Sequence, residues 1–369
     1  MLKDILLERN YPRIDVFCDG TPVTAVGWAK RRKELIALLE EYSYGKTPKV
    51  EVTVKGRSRG FGRYTCAGKC TEEFLDVIYT TSYGEGIIPI QIYTPTNTEH
   101  PPVLLNIAFG EAPNMYIPVE QIIDGGYALA VVDYQKMVND NHFGDFSDGI
   151  AEHFGTNENR GAAEWGKIGM WAWGASRILD YLIRERLDLD TSKTAVIGHS
   201  RLGKTALWCA AQDERFAAAI SNNSGYGGAA SSKHGEGERV TDFIQVGSWD
   251  WFCENFKNFS GDLEDSKPYD QSFLLALIAP RYLLVGSAEL DYGADPKSEF
   301  LTTLHASSAW ELLGKAGLVT EDRMPAVGDY LGDGNILYHY RKGTHFLSQD
   351  DWAAYIRFLD KKFKSTNIN

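Results

Sequence analysis

A chain of 369 residues with 43% apolar side chains is long enough to bury a large core, which excludes a disordered segment or a disulfide-stapled miniature fold. The formal charge of −12 and an isoelectric point near 5.2 oppose the broad basic surface on which nucleic-acid binding relies. No apolar run approaches the roughly 20 residues of a membrane-spanning helix, so neither nucleic acid nor a bilayer is an expected partner.

Met1 to Asn10 are charged within a few positions and lack the apolar stretch and small-residue cleavage site of a secretion leader, which points to a cytoplasmic protein. Trp28 to Tyr44 sets Leu35, Ile36, Leu38 and Leu39 among Lys, Arg and Glu. That spacing predicts a helix with one buried face, stopped by Gly45 and Pro48. From Val50 to Pro95, alternating runs such as Ile88-Pro89-Ile90-Gln91-Ile92-Tyr93 predict antiparallel strands that open a sheet. Cys66 and Cys70 lie in this strand region four positions apart, but no second pair of ligands follows at zinc-site distance, so no metal is expected. The five cysteines are read as free thiols.

Five short apolar runs follow: Val103–Ile107, Ala128–Val132, Thr194–Ile197, Ala217–Ile220 and Tyr282–Val285. Strands buried on both faces have this composition. Helical stretches separate them, notably Gly169 to Arg186, and the alternation predicts an α/β protein in three layers with a mostly parallel central sheet. A strand over Ile336 to Tyr340 and a helix from Gln349 to about Lys362 close the chain. One domain over 1–369 is expected, with 231–270, polar, Gly-rich and poorly periodic, as an insertion near the active site.

The strongest local signal is the run from Thr194 to Leu207, in which a buried strand passes through Gly198-His199-Ser200-Arg201-Leu202-Gly203 into a helix. Such a turn exposes a serine at the sheet edge and needs small neighbours, because strand and helix approach closely. It predicts the α/β-hydrolase fold with Ser200 as nucleophile. The second Gly stands at 203 rather than two residues after the serine, where Leu202 is found. His345, between the strand 336–340 and the last helix, is the expected base, while His199 is expected to point elsewhere and His339 to lie within a strand. The loop after 282–285 offers Asp291 as the acid that orients the imidazole, with Glu289 as the alternative. Arg201, at the helix start, is positioned to donate its backbone N–H, and its guanidinium, to a tetrahedral oxyanion.

Gly198 to Lys204, followed by Asn223-Ser224-Gly225-Tyr226-Gly227-Gly228-Ala229-Ala230, resembles the glucuronoyl esterase family of carbohydrate esterases. The likeness extends to Trp28 with Arg31-Arg32, Tyr44-Gly45, Trp251-Phe252 with Asn255-Phe256, and Asp291 with Ala294-Asp295-Pro296. It implies a serine carbohydrate esterase that needs no cofactor, with Ser200 and His345 as nucleophile and base, Arg201 as oxyanion donor and Lys204 as a contact to sugar hydroxyls. Some members carry their acid where this chain has Asn223, which assigns the acid to Asp291 here. Fungal members have a bridging Cys where this chain has His199, and their glucuronate-binding Gln and Glu have no clear match between Val240 and Trp251. Tyr292 occupies a position that is often Trp in the family, and Tyr292, Trp251 and Trp249 are candidate sugar-stacking rings. A small carbohydrate ester is the expected partner, a 4-O-methylglucuronoyl ester ahead of an acetyl ester. A non-catalytic sugar-binding protein on the same fold is the alternative from another class.

Overall fold

A computed structural model describes residues 1–155 and 160–364. Its centre is a sheet of eleven strands: β1 Thr53–Ser58, β2 Arg63–Thr65, β3 Cys70–Thr81, β4 Gly84–Pro95, β5 Pro102–Ala108, β6 Ala128–Asp133, β7 Asp190–His199, β8 Ala218–Asn222, β9 Tyr282–Ala288, β10 Tyr330–Leu331 and β11 Ile336–Arg341. The spatial order is β1-β3-β4-β6-β5-β7-β8-β9-β11-β10, with β2 paired to β3. β1 to β4 run antiparallel, and the strands β6, β5, β7, β8, β9 and β11 form a parallel block.

The antiparallel opening follows from its sequence. β3 and β4 form a hairpin from Cys70 opposite Pro95 to Thr81 opposite Gly84. Pro89 has no N–H to give a second neighbour, and β4 meets β6 only from Gln91 to Tyr93, beyond the proline. Cys66 lies just before β3, in a single 3-10 turn, while Cys70 begins that strand. All five cysteines are free.

In the parallel block, successive residues enter two different cores, as period-two geometry requires. Leu104, Leu129, Ala195, Ile220, Leu284 and Leu337 face one helical layer that contains Ile122, Trp352 and Tyr355. Leu105, Ala130, Val196, Ala219 and Val285 face the other, with Leu35, Trp171, Trp208 and Phe300. Burying one such Leu, Ile or Val side chain contributes about 1.5–3 kcal/mol, so continuous apolar strands are what a sheet covered on both sides selects.

The expected helices form at Trp28–Tyr42 and Lys167–Glu185, and the last runs Gln349–Leu359 before a wider turn over Asp360–Lys364. Among the described residues, no helix is long and apolar enough to cross a membrane. Segment 231–270 is less irregular than its polar composition suggests. It contains the helix Val240–Gln245 and three 3-10 turns, packed through buried Phe243, Trp251, Phe252 and Phe256. Phe252 and Phe256 stack with ring centroids 4.0 Å apart. Aromatic side chains spaced too irregularly to register as a helix still make a core when turns bring them together.

Candidate active site

Ser200 follows the last residue of β7 and caps the helix Arg201–Gln212. Its backbone is left-handed, with φ 58° and ψ −129°, a conformation costly for a residue with a side chain. Its N–H donates to the Asn222 carbonyl at 2.9 Å, which ties the turn to β8. The glycines meet the predicted need for space. A Cβ on Gly198 would sit 2.0 Å from the Leu202 carbonyl oxygen, and one on Gly203 would sit 3.0 Å from Ser224 Cβ. Leu202 itself is fully buried in the core, so the position two after the serine is apolar and the close approach to β8 falls on residue 203.

Asp291, in the loop after β9, accepts from His345 Nδ1 at 2.6 Å. Asn223, just past β8, donates its amide to the same oxygen, Oδ2, at 2.7 Å. Burial by itself raises the Asp291 carboxyl, but the His345 hydrogen bond and charge, the Asn223 amide and the Ala294 backbone outweigh it and hold the group below the usual carboxylate range. An ionised carboxylate on Nδ1 fixes the proton there and leaves Nε2 of the neutral ring as the acceptor. The two loops are joined by the backbone, through Glu289 N–H to the Arg341 carbonyl at 3.0 Å and Leu290 N–H to the Gly343 carbonyl at 2.9 Å.

Sequence reading missed what shapes the His345 loop. The buried Arg341 guanidinium donates to Asp351 Oδ2 at 2.6 Å, to the Lys342 carbonyl at 3.0 Å and to the Thr344 carbonyl at 3.1 Å, and also to the Phe346 carbonyl. His199 does not turn away from the site as expected. Its ring lies 4.5 Å from that of His345 and stacks on Tyr116. Burial, then the neighbouring His345, pushes its pKa down to about 3, so it is neutral. Its Nδ1 donates to Asn222 Oδ1 at 2.8 Å, and the Asn222 amide donates to the Tyr355 hydroxyl at 2.8 Å.

Glu289, the alternative acid, lines a separate hollow of about 320 Å³ with Tyr292, Glu236, Lys297 and Tyr340. The imidazole contact belongs to Asp291. The Tyr292 ring is exposed. Trp251, a candidate sugar platform, is buried instead, with its ring 4.4 Å from the Arg201 guanidinium and its indole N–H on Asp140 Oδ1 at 2.7 Å. Trp249 is half-buried beneath the Lys257 ammonium, 3.8 Å from its ring centroid. Lys204 is buried and donates to the Ser224 carbonyl at 2.7 Å and to Glu238 Oε2 at 3.1 Å. Glu238 lies two residues before the 240–251 window, and no spacing in the sequence joins it to Lys204.

Beneath this corner is a second buried carboxyl that the sequence did not announce. Glu299 accepts from the Ser224 and Gly225 N–H groups at 2.9 and 3.0 Å and from the Ser287 hydroxyl at 2.5 Å. Complete burial pushes its pKa up to about 8. Among the described residues, no group of three or more His, Cys, Asp or Glu is arranged to hold a metal ion. Capacity alone does not mark the site. A cavity of about 730 Å³ lies between β2, β3 and the helix Val119–Asp124, and none of Ser200, Arg201, Lys204, Asp291 and His345 lines it. The convergence of loops at the carboxyl ends of β6 to β9 and β11 is the stronger sign, as in other open α/β sheets.

The chain is similar to known proteins over most of its length. Residues 80–314 match the family described as glucuronyl esterase, fungi. The chain is 33% identical to carbohydrate esterase MZ0003 from an unknown prokaryotic organism, over 94% of this chain and 88% of that protein. It is 29% identical to the 4-O-methyl-glucuronoyl methylesterase of Cerrena unicolor, over 81% of this chain and 61% of that one. The structure of a glucuronoyl esterase from Solibacter usitatus superimposes with a TM-score of 0.87 at 33% identity, covering 96% of this chain and 98% of that one.

Proposed function

The chain belongs to the glucuronoyl esterase family of α/β-hydrolases, and from that premise we propose that it cleaves 4-O-methylglucuronoyl esters of xylan-derived saccharides with Ser200, His345 and Asp291. Membership makes it a carboxylic ester hydrolase acting on carbohydrate esters. The observation that carries the residue assignment is the 2.6 Å contact between Asp291 and His345 Nδ1, on loops beside the strained Ser200 turn.

In this reading, His345 Nε2 takes the Ser200 proton as the hydroxyl oxygen attacks the ester carbonyl. Charge develops on the carbonyl oxygen. The Arg201 N–H and guanidinium receive it, and the dipole of the twelve-residue helix acts in the same direction. Collapse of the intermediate breaks the bond to the alcohol, which leaves with the proton from His345. Water, deprotonated by the same imidazole, then frees the uronic acid from Ser200. Because the sugar is the acyl part, it lies beside the nucleophile, where Lys204 offers a donor and Glu238 an acceptor to its hydroxyls. The chain folds as one domain, with 231–270 as an insertion that packs against Arg201 through Trp251.

The test compares hydrolysis of the methyl ester of 4-O-methylglucuronate with that of acetylated xylo-oligosaccharides. The uronate ester is expected to have the higher kcat/KM, and activity confined to acetyl esters overturns the substrate assignment. Labelling with a fluorophosphonate is expected at Ser200. An unreactive Ser200 in folded protein favours a sugar-binding role without catalysis.

A further inference from the structure

Arg201 is not free to choose its direction. One guanidinium nitrogen donates to Asp140 Oδ2, and the ring faces of Trp251 and Phe109 lie 4.4 and 5.6 Å from its central carbon. The Asp140 side chain is 5% exposed and accepts from three directions: Arg201 and the Tyr134 hydroxyl at 3.0 Å on Oδ2, and the Trp251 indole at 2.7 Å on Oδ1. The Arg201 side chain remains 28% exposed while the carboxylate that holds it is buried.

Asp140 is itself held in place. The Trp171 indole donates to the Val138 carbonyl at 3.0 Å. Lys167, wholly buried, donates to the Asn141 carbonyl and pairs with Asp250 at 3.0 Å. Asp250 also accepts from the Gly144 N–H at 3.2 Å. The loop after β6 and the turn carrying Trp251 are therefore fastened together through two carboxylates, Asp140 and Asp250.

We propose that Asp140 is the positioning residue for the oxyanion function of Arg201, fixing the guanidinium before charge develops on the substrate. The proposal rests on the assignment of Arg201 given above. A donor contributes most when its orientation is settled before the reaction, because reorganisation then costs nothing at the transition state. A flexible arginine held only by solvent loses that advantage. Nε is buried without a partner, and the bond to one terminal nitrogen leaves the second terminal nitrogen to meet an incoming oxygen.

The test is a double-mutant cycle on the methyl ester of 4-O-methylglucuronate, using Arg201→Ala, Asp140→Asn and both together, with melting temperatures recorded in parallel. Arg201→Ala is expected to lower kcat about 10²- to 10³-fold, the loss typical of one oxyanion donor. Asp140→Asn is expected to lower kcat by about 10-fold or more while KM moves less than about threefold, and the double variant to match Arg201→Ala within about twofold. Additive losses, or an Asp140→Asn enzyme with unchanged kcat beside a crippled Arg201→Ala, overturn the role of Asp140 alone. An Arg201→Ala enzyme with unchanged kcat overturns the oxyanion assignment beneath it. If Asp140→Asn does not fold, Trp251→Phe removes the indole donor while keeping a ring near Arg201. Its loss is expected to be smaller and to vanish in the Arg201→Ala background, and a loss that persists there overturns the proposal.

Discussion

On the β9 and β11 side of Ser200, an imidazole that is 45% exposed meets one carboxylate, and that carboxylate is supported by a neutral amide. On the β6 and β7 side, a guanidinium is packed between aromatic faces and bound to a buried carboxylate with two further donors. The difference fits the roles proposed for the two arms, His345 as base and Arg201 as oxyanion donor. A base must gain and lose a proton and change partners during turnover, so its ring keeps one edge open. A donor to an oxyanion has to hold still, so the fold surrounds it.

The sharpest way to break the comparison is to remove the centre that both arms serve. Ser200→Ala is expected to lower kcat by about six orders of magnitude, measured with a chromogenic uronate ester. Asp291→Asn tests the proton-handling arm alone. It is expected to cost about four orders of magnitude, since an amide beside Nδ1 favours the wrong imidazole tautomer. A loss of tenfold or less would mean that Asn223 and the loop geometry orient His345 without the charge.

The smallest effect concerns stability, and it separates two carboxyls of the same arm. Asp291 is held below its ordinary 3.8, so its contact with His345 stabilises the fold above that pH and is lost only in stronger acid. Glu299 is pushed the other way, from 4.5 to about 8. Between those values the native state binds a proton that the unfolded chain has released, so its contribution to stability falls as pH rises. The melting temperature is expected to decline across that window in the wild type more steeply than in Glu299→Gln. Parallel profiles would remove Glu299 from the account.

Signals carried by neighbouring residues were legible in the sequence. The Gly-bounded serine turn and the alternation of apolar strands with helices rest on local spacing, which backbone geometry obeys wherever it occurs. The residues that went unread, Asp140, Glu238 and Glu299, have no such spacing, and Arg341, whose partners lie within ten positions, reaches them through a loop that follows no helical or strand period. Asp140 meets Arg201 across 61 positions and Trp251 across 111. Trp251 itself is as compatible in sequence with a sugar platform as with the buried support it forms.

The sequence by itself determined the layered fold, the strained serine turn and the candidate set at the carboxyl edge, because period, glycine and strand composition act within a few residues. Tertiary structure alone decided which carboxylate meets the imidazole and what holds the arginine. Those outcomes depend on desolvation and on side chains that become neighbours only when separate loops close over the same sheet edge.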